Sequence, residues 1–225
     1  MKKNIMLKAA LGLGAAMSLW MGLYAYGAQS SVIESVSVSF KTIYGEPEEI
    51  PEPEVTVSGK SCSLGDVQYR TDYDNWKPGR KVRVEVTVVA EDGKYFPATL
   101  NRSKCKVTGA DFVSAKALDD SSLQVKADYR PVTVLGDTQK AGWSSTSKKK
   151  AVWKSVEYAP GYTLTLYGDN KVVKRITVES NSVNLADYMT DMDKTYYYEV
   201  KAVPVTSDEK KYLKEGQYVT STDQE

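Results

Sequence analysis

The chain contains no histidine. That absence removes every Ser-His-Asp and Cys-His nucleophile arrangement and every histidine-based metal site. Cysteine is almost missing, with Cys62 and Cys105 alone among 225 residues. Phenylalanine is scarce: three residues against 16 tyrosines, so the aromatic material is amphipathic and suits half-buried strands or wet binding faces. Neither sign of charge dominates, since 30 basic side chains face 29 acidic ones. This balance gives no electrostatic case for nucleic acid or for an anionic membrane surface as partner. Helical periodicity is missing too; Leu185–Met192 is the best short candidate for a helix.

Only one long apolar run is present, and it lies at the start. Lys2, Lys3 and Lys8 precede the uncharged stretch from Ala9 to Tyr24, and Ala25-Tyr26-Gly27 follows with small residues where a signal peptidase reads. The layout predicts a secretory signal over residues 1–27, cleaved between Gly27 and Ala28. The protein is then secreted or surface-associated, with no membrane insertion after cleavage. The alternative is a retained anchor, because no charge occurs between Lys8 and Glu34. The 225 residues less 27 leave 198, enough for one large or two ordinary domains.

Beyond Ala28 the pattern has period two. Val82, Val84, Val86 and Val88 alternate with Arg83, Glu85 and Thr87, as in a strand with one buried and one wet face. Val32–Phe40, Glu54–Ser58, Asp66–Arg70, Ser103–Gly109 and Leu123–Tyr129 read as further strands. Turn signals separate them at Lys77-Pro78-Gly79, Glu91-Asp92-Gly93 and Thr108-Gly109. Three prolines among the nine residues from Glu46 to Glu54 exclude a central strand and predict a solvated loop, with an acidic docking arm as the bolder reading. Residues 136–140 are short and polar and read as a linker, and the lysines at 148–150 as the exposed entry to a strand starting at Ala151.

The second half carries Trp153, then Tyr162-Thr-Leu-Thr-Leu-Tyr167, a turn at Gly168–Lys171, Val172–Val178, and Tyr196-Tyr-Tyr-Glu-Val-Lys-Ala-Val203. Over roughly residues 139–222 it resembles a fibronectin type III domain. That resemblance implies a structural core Trp153 and a corner Tyr196. In the first half, an opening Val-x-Ser-Val-Ser-Val-Ser-Phe is followed by Trp76-Lys-Pro-Gly-Arg-Lys-Val-Arg-Val-Glu-Val-Thr-Val and Ala90-Glu-Asp-Gly-Lys-Tyr-Phe96. This is similar to Ig-like β-sandwiches that precede fibronectin-like domains in exported proteins of Gram-positive anaerobes. Relatives of that kind often carry cell-wall-binding repeats, which this sequence lacks. The expected architecture is therefore all-β: an Ig-like sandwich over 28–135, the linker, and a fibronectin type III-like sandwich over 141–225.

An even cysteine count in an exported protein favours a Cys62–Cys105 disulfide, closing a loop of about 44 residues and contributing about 4 kcal/mol on the loop-entropy model. The other reading is two buried thiols acting as small apolar groups. Motifs for catalysis fail on context. Gly59-Lys60-Ser61 ends like a phosphate-binding loop, but Glu54 stands where its first glycine belongs. Ser145–Lys148 and Ser207–Lys210 match S-x-x-K without the companion motifs or a helix start. The acid pairs Asp72/Asp74, Asp119/Asp120 and Asp191/Asp193 lack calcium-loop spacing and sit where turns want aspartate. No catalytic residue, metal ligand or cofactor is implied.

The best binding lead is Tyr69, Tyr73 and Trp76, because exposed aromatics on a sandwich can stack against the apolar face of a sugar ring. The expected function is a non-catalytic binding or adhesion module for cell-wall polysaccharide, another extracellular polymer or an extracellular partner protein. A structural spacer would instead bury all three aromatics. A histidine-free glycoside hydrolase would need two carboxylates facing across a deep cleft.

Overall fold

The computed structural model describes residues 31–222. The signal and its Gly27/Ala28 cleavage point lie outside the described residues. Within them the chain is all-β, with two single-turn 3-10 helices at Tyr73–Asn75 and Glu209–Lys211. No described helix is long and apolar enough to cross a membrane.

The first half contains β1 (Ser31–Val32), β2 (Val36–Lys41), β3 (Glu54–Ser58), β4 (Cys62–Tyr69), β5 (Val82–Ala90) and β6 (Lys94–Tyr95). It continues with β7 (Thr99–Leu100), β8 (Cys105–Thr108), β9 (Asp111–Asp119) and β10 (Ser122–Tyr129). A five-stranded sheet in the order β4-β5-β10-β9-β7 faces a three-stranded sheet in the order β3-β2-β8. The two share one core. Val82, Val84, Val86 and Val88 from β5 and Leu123, Val125 and Ala127 from β10 meet Val36, Val38 and Phe40 from β2. The register Val84↔Ala127 and Val86↔Val125 places inward residues side by side, as period-two patterning requires.

The second half repeats the arrangement with its own core. After β11 (Thr133–Val134) come β12 (Gln139–Ser144), β13 (Ser147–Lys154), β14 (Gly161–Gly168) and β15 (Lys171–Val178). They are followed by β16 (Ser182–Asn184), β17 (Tyr196–Val203), β18 (Leu213–Lys214) and β19 (Val219–Thr220). The sheets run β12-β13-β16 and β15-β14-β17-β19. Trp153 and Tyr196 are both buried between them, Trp153 edge-on to Tyr162 at 5.3 Å between ring centroids. Tyr198 ties the two sheets together. Its hydroxyl donates to a backbone carbonyl, with Gly142 and Val152 oxygens each 2.7 Å away, and accepts the Gly142 N–H at 2.7 Å.

The chain just before the expected linker is held by backbone pairing. Here β11 lies parallel to β18, Thr133 opposite Leu213 and Val134 opposite Lys214. On its other side Pro47 bridges Val134, the Glu48 N–H donates to the Val134 carbonyl, and the Thr133 hydroxyl donates to the Glu49 carbonyl at 2.6 Å. The acidic proline-rich segment is thus a loop, as its composition predicts, but one packed on the joint. The 136–140 assignment also shifts: Leu135 belongs to the second core, and Gln139 and Lys140 open β12. The Lys214 ammonium sits 3.7 Å from the Tyr44 ring centroid and adds a contact between the halves.

The expected disulfide is not formed. Cys62 and Cys105 are buried free thiols. They open strands in different sheets, β4 in the five-stranded and β8 in the three-stranded one. Burial pushes both thiols up, Cys105 to about 11, so each stays protonated and packs as a small apolar group.

Glu85 is an exception to the wet-face pattern of β5. Its side chain is 7% exposed because Arg70 and Lys126 close over it and Gln124 donates to it at 3.0 Å. Hydrogen bonds from Arg70 and then Lys126 hold its carboxyl down to about 2, against an ordinary value near 4.5. The folded value is below the unfolded one, so the stabilisation is complete above about pH 4.5 and is lost as pH falls toward 2. Arg70 is itself over half exposed, and solvent screening limits the contribution to about 1–2 kcal/mol. We expect urea unfolding at pH 6 to show Glu85→Gln destabilised by that amount, with the difference from wild type vanishing near pH 2.

Candidate binding site

The three aromatics of the sequence lead come together, but in unequal roles. The 3-10 turn Tyr73–Asn75 reverses the chain after β4 and sends Trp76 inward, where it is 3% exposed. Its indole N–H donates to the Thr71 carbonyl at 3.1 Å, and its ring meets Tyr69 edge-on at 4.9 Å and Tyr129 at 6.3 Å. Tyr69 is half-buried at the end of β4, with its phenol pushed well up, chiefly by burial. Neither forms an exposed stacking platform, which corrects the expectation for Trp76 and Tyr69. The reason is geometric: each points into the first core and supports the turn from beneath.

Tyr73 is different. It is 49% exposed, tilted against Trp76 at 5.2 Å, and its hydroxyl donates to the Ile50 carbonyl at 2.5 Å. That bond connects the turn after β4 to the acidic proline-rich loop. Between them runs an open groove of about 480 Å³, lined by Glu48, Glu49, Ile50, Pro51, Tyr73, Asp74, Trp76 and, from the second half, Tyr158. Burial first, then the Glu52 and Glu49 carboxylates, raise the Tyr73 phenol. Two of the lining residues, Glu48 at φ 69° and Tyr158 at φ 60°, hold left-handed backbone conformations. A bulky tyrosine rarely adopts that conformation, so the loop that presents it is over-determined by its surroundings.

Tyr158 carries no local signal of a site, whereas Glu48 and Glu49 belong to the loop with the docking-arm reading and Asp74 to one of the acid pairs. The acidic loop was visible in the sequence, but nothing local says that it folds across residues 84 positions further on. The remaining acid pairs are dispersed over separate turns. Asp119 accepts from the Ser121 N–H at 2.8 Å, and Asp191 accepts from the Asp193 N–H at 3.1 Å while pairing with Lys194. Among the described residues no group of three or more acids and cysteines is gathered for a metal ion. Ser145 lies in the β12–β13 turn and Ser207 in an exposed turn, neither at the start of an α-helix.

No protein-family model matches this chain, and no curated protein matches it either.

Proposed function

We propose that this protein is an exported, non-catalytic binding module of the bacterial surface, an Ig-like sandwich joined to a fibronectin type III-like one, recognising a glycan of the cell wall or another extracellular polymer. The observation that carries this reading is the groove at the joint, where an exposed aromatic, Tyr73, is fixed beside acidic and apolar side chains of the first half and faces Tyr158 of the second. A sugar ring presents an apolar C–H face to such a phenol and hydroxyls to the carboxylates around it. The paired joint keeps the two walls of the groove in register, which limits the ordering entropy lost on binding.

A spacer without its own ligand is the second reading. The observation that favours it is the same joint: backbone pairing of residues 47–48, 133–135 and 212–214 makes a stiff connector. The burial of Trp76 and Tyr69 also fits it, whereas the exposure of Tyr73 does not.

Co-sedimentation of the purified protein with cell walls and insoluble polysaccharides separates the two. A glycan-binding groove predicts pelleting that Tyr73→Ala abolishes, with the unfolding midpoint of the variant changed by only a few degrees. No pelleting with any polymer sinks the glycan reading and leaves the spacer.

A further inference from the structure

We propose that the groove selects a glycan bearing free amino groups, with a protonated hexosamine seated between Tyr73, Tyr158 and the Glu48, Glu49 and Asp74 carboxylates. This rests on the glycan reading above and narrows it to one class of sugar.

The inference comes from counting donors and acceptors. Two of the side-chain donors in the groove are already engaged: the Tyr73 hydroxyl donates to the Ile50 carbonyl and the Trp76 indole to the Thr71 carbonyl. The acceptors are open. Glu48, Glu49 and Asp74 are exposed, and among the described residues none of them takes part in an ion pair. Glu49 uses one oxygen on the Glu46 N–H and keeps the other. No lysine or arginine lines the groove.

A ligand that matches such a surface must bring donors and positive charge. A hexosamine ammonium supplies three N–H groups, its ring hydroxyls donate as well, and its C–H face lies on the tyrosine ring. Ammonium against an aromatic face adds a cation–π attraction. An N-acetylated sugar replaces that charge with a neutral amide, which forfeits the attraction of the carboxylates and the cation–π contact, so the groove discriminates against it.

The test compares retention of the full protein on chitosan and on chitin beads, which share a backbone and differ in acetylation. Two variant pairs accompany it. Glu48→Gln/Asp74→Asn neutralises the groove through exposed side chains, and Asp92→Asn/Asp120→Asn removes the same charge at the opposite end of the first half. We expect binding to chitosan over chitin, weakened at least tenfold by the groove pair and within twofold of wild type for the distal pair. Equal weakening by both pairs would mean general attraction of a polycation and overturns the proposal. Equal binding to chitin and chitosan, lost in Tyr73→Ala, overturns amine selection while the glycan-binding function stands. Retention on neither overturns amine selection, and the co-sedimentation with cell walls and other polysaccharides then decides the glycan reading on its own.

Discussion

Replacing Gly109 with alanine is expected to destabilise the protein by about 3 kcal/mol or more, enough to remove a large part of a small domain's stability. Gly109 follows β8 at φ +75°, where an L side chain already costs about 1 kcal/mol. The space matters more. A Cβ there would lie 1.9 Å from the Phe40 carbonyl oxygen, a backbone atom of β2 that cannot step aside without disturbing the parallel β2–β8 pairing. Gly93 supplies the control. It has nearly the same φ, +74°, and nothing within 4 Å of the position a Cβ would take. Gly93→Ala should therefore cost only the conformational part, about 1 kcal/mol. Equilibrium urea unfolding of the two variants separates backbone strain from collision. Equal losses would show that the close approach to Phe40 relaxes at little cost.

Trp76→Ala is the second large effect, about 3–5 kcal/mol, as for other buried aromatics cut back to alanine. The indole is 3% exposed, touches Tyr69, Tyr73 and Tyr129, and satisfies the Thr71 carbonyl. Its removal leaves a cavity under the turn that presents Tyr73. A loss of ligand binding in Trp76→Ala would then report unfolding of the turn, whereas Tyr73→Ala removes the exposed ring at a cost of about 1 kcal/mol for its hydrogen bond. Guanidinium unfolding monitored by circular dichroism checks the difference. If Trp76→Ala unfolds at the wild-type midpoint, the indole is not a core element and the stacking role expected of it from the sequence returns.

How far the sequence reached depended on whether its signals were local. Alternation in Val82–Val88 and Tyr196–Ala202 marked β5 and β17 directly, because the strand period is two and one face is buried in each. Strand β9 went unnoticed. Its partner registers shift at Ser122/Leu123 and Lys126/Ala127, so apolar positions drift from one face to the other and no clean alternation survives in Asp111–Asp119. The exposed entry expected at 148–150 is already strand, since β13 begins at Ser147. Leu185–Met192 forms turns around buried Leu185 and Met189 in place of a helix.

The candidate site was half legible. Tyr69, Tyr73 and Trp76 were grouped by sequence proximity, and they do touch. Which of them faces solvent was decided by the 3-10 turn, which rotates Tyr73 outward and Trp76 inward over three residues. The acid side of the groove was legible only as a loop.

By itself the sequence determined the all-β class, the alternation of wet and buried faces in the clean strands, and the absence of histidine chemistry. Each follows from residue type and spacing along a single strand. Tertiary structure alone decided that Glu85 is buried, that the two free thiols open strands of opposing sheets, and that the acidic loop, the chain at 133–135 and the segment at 212–214 pair into one joint. Those outcomes depend on partners 15 to 87 residues apart, and hydrophobic burial, which drives the sheets together, carries no directional record of such pairings in the local pattern.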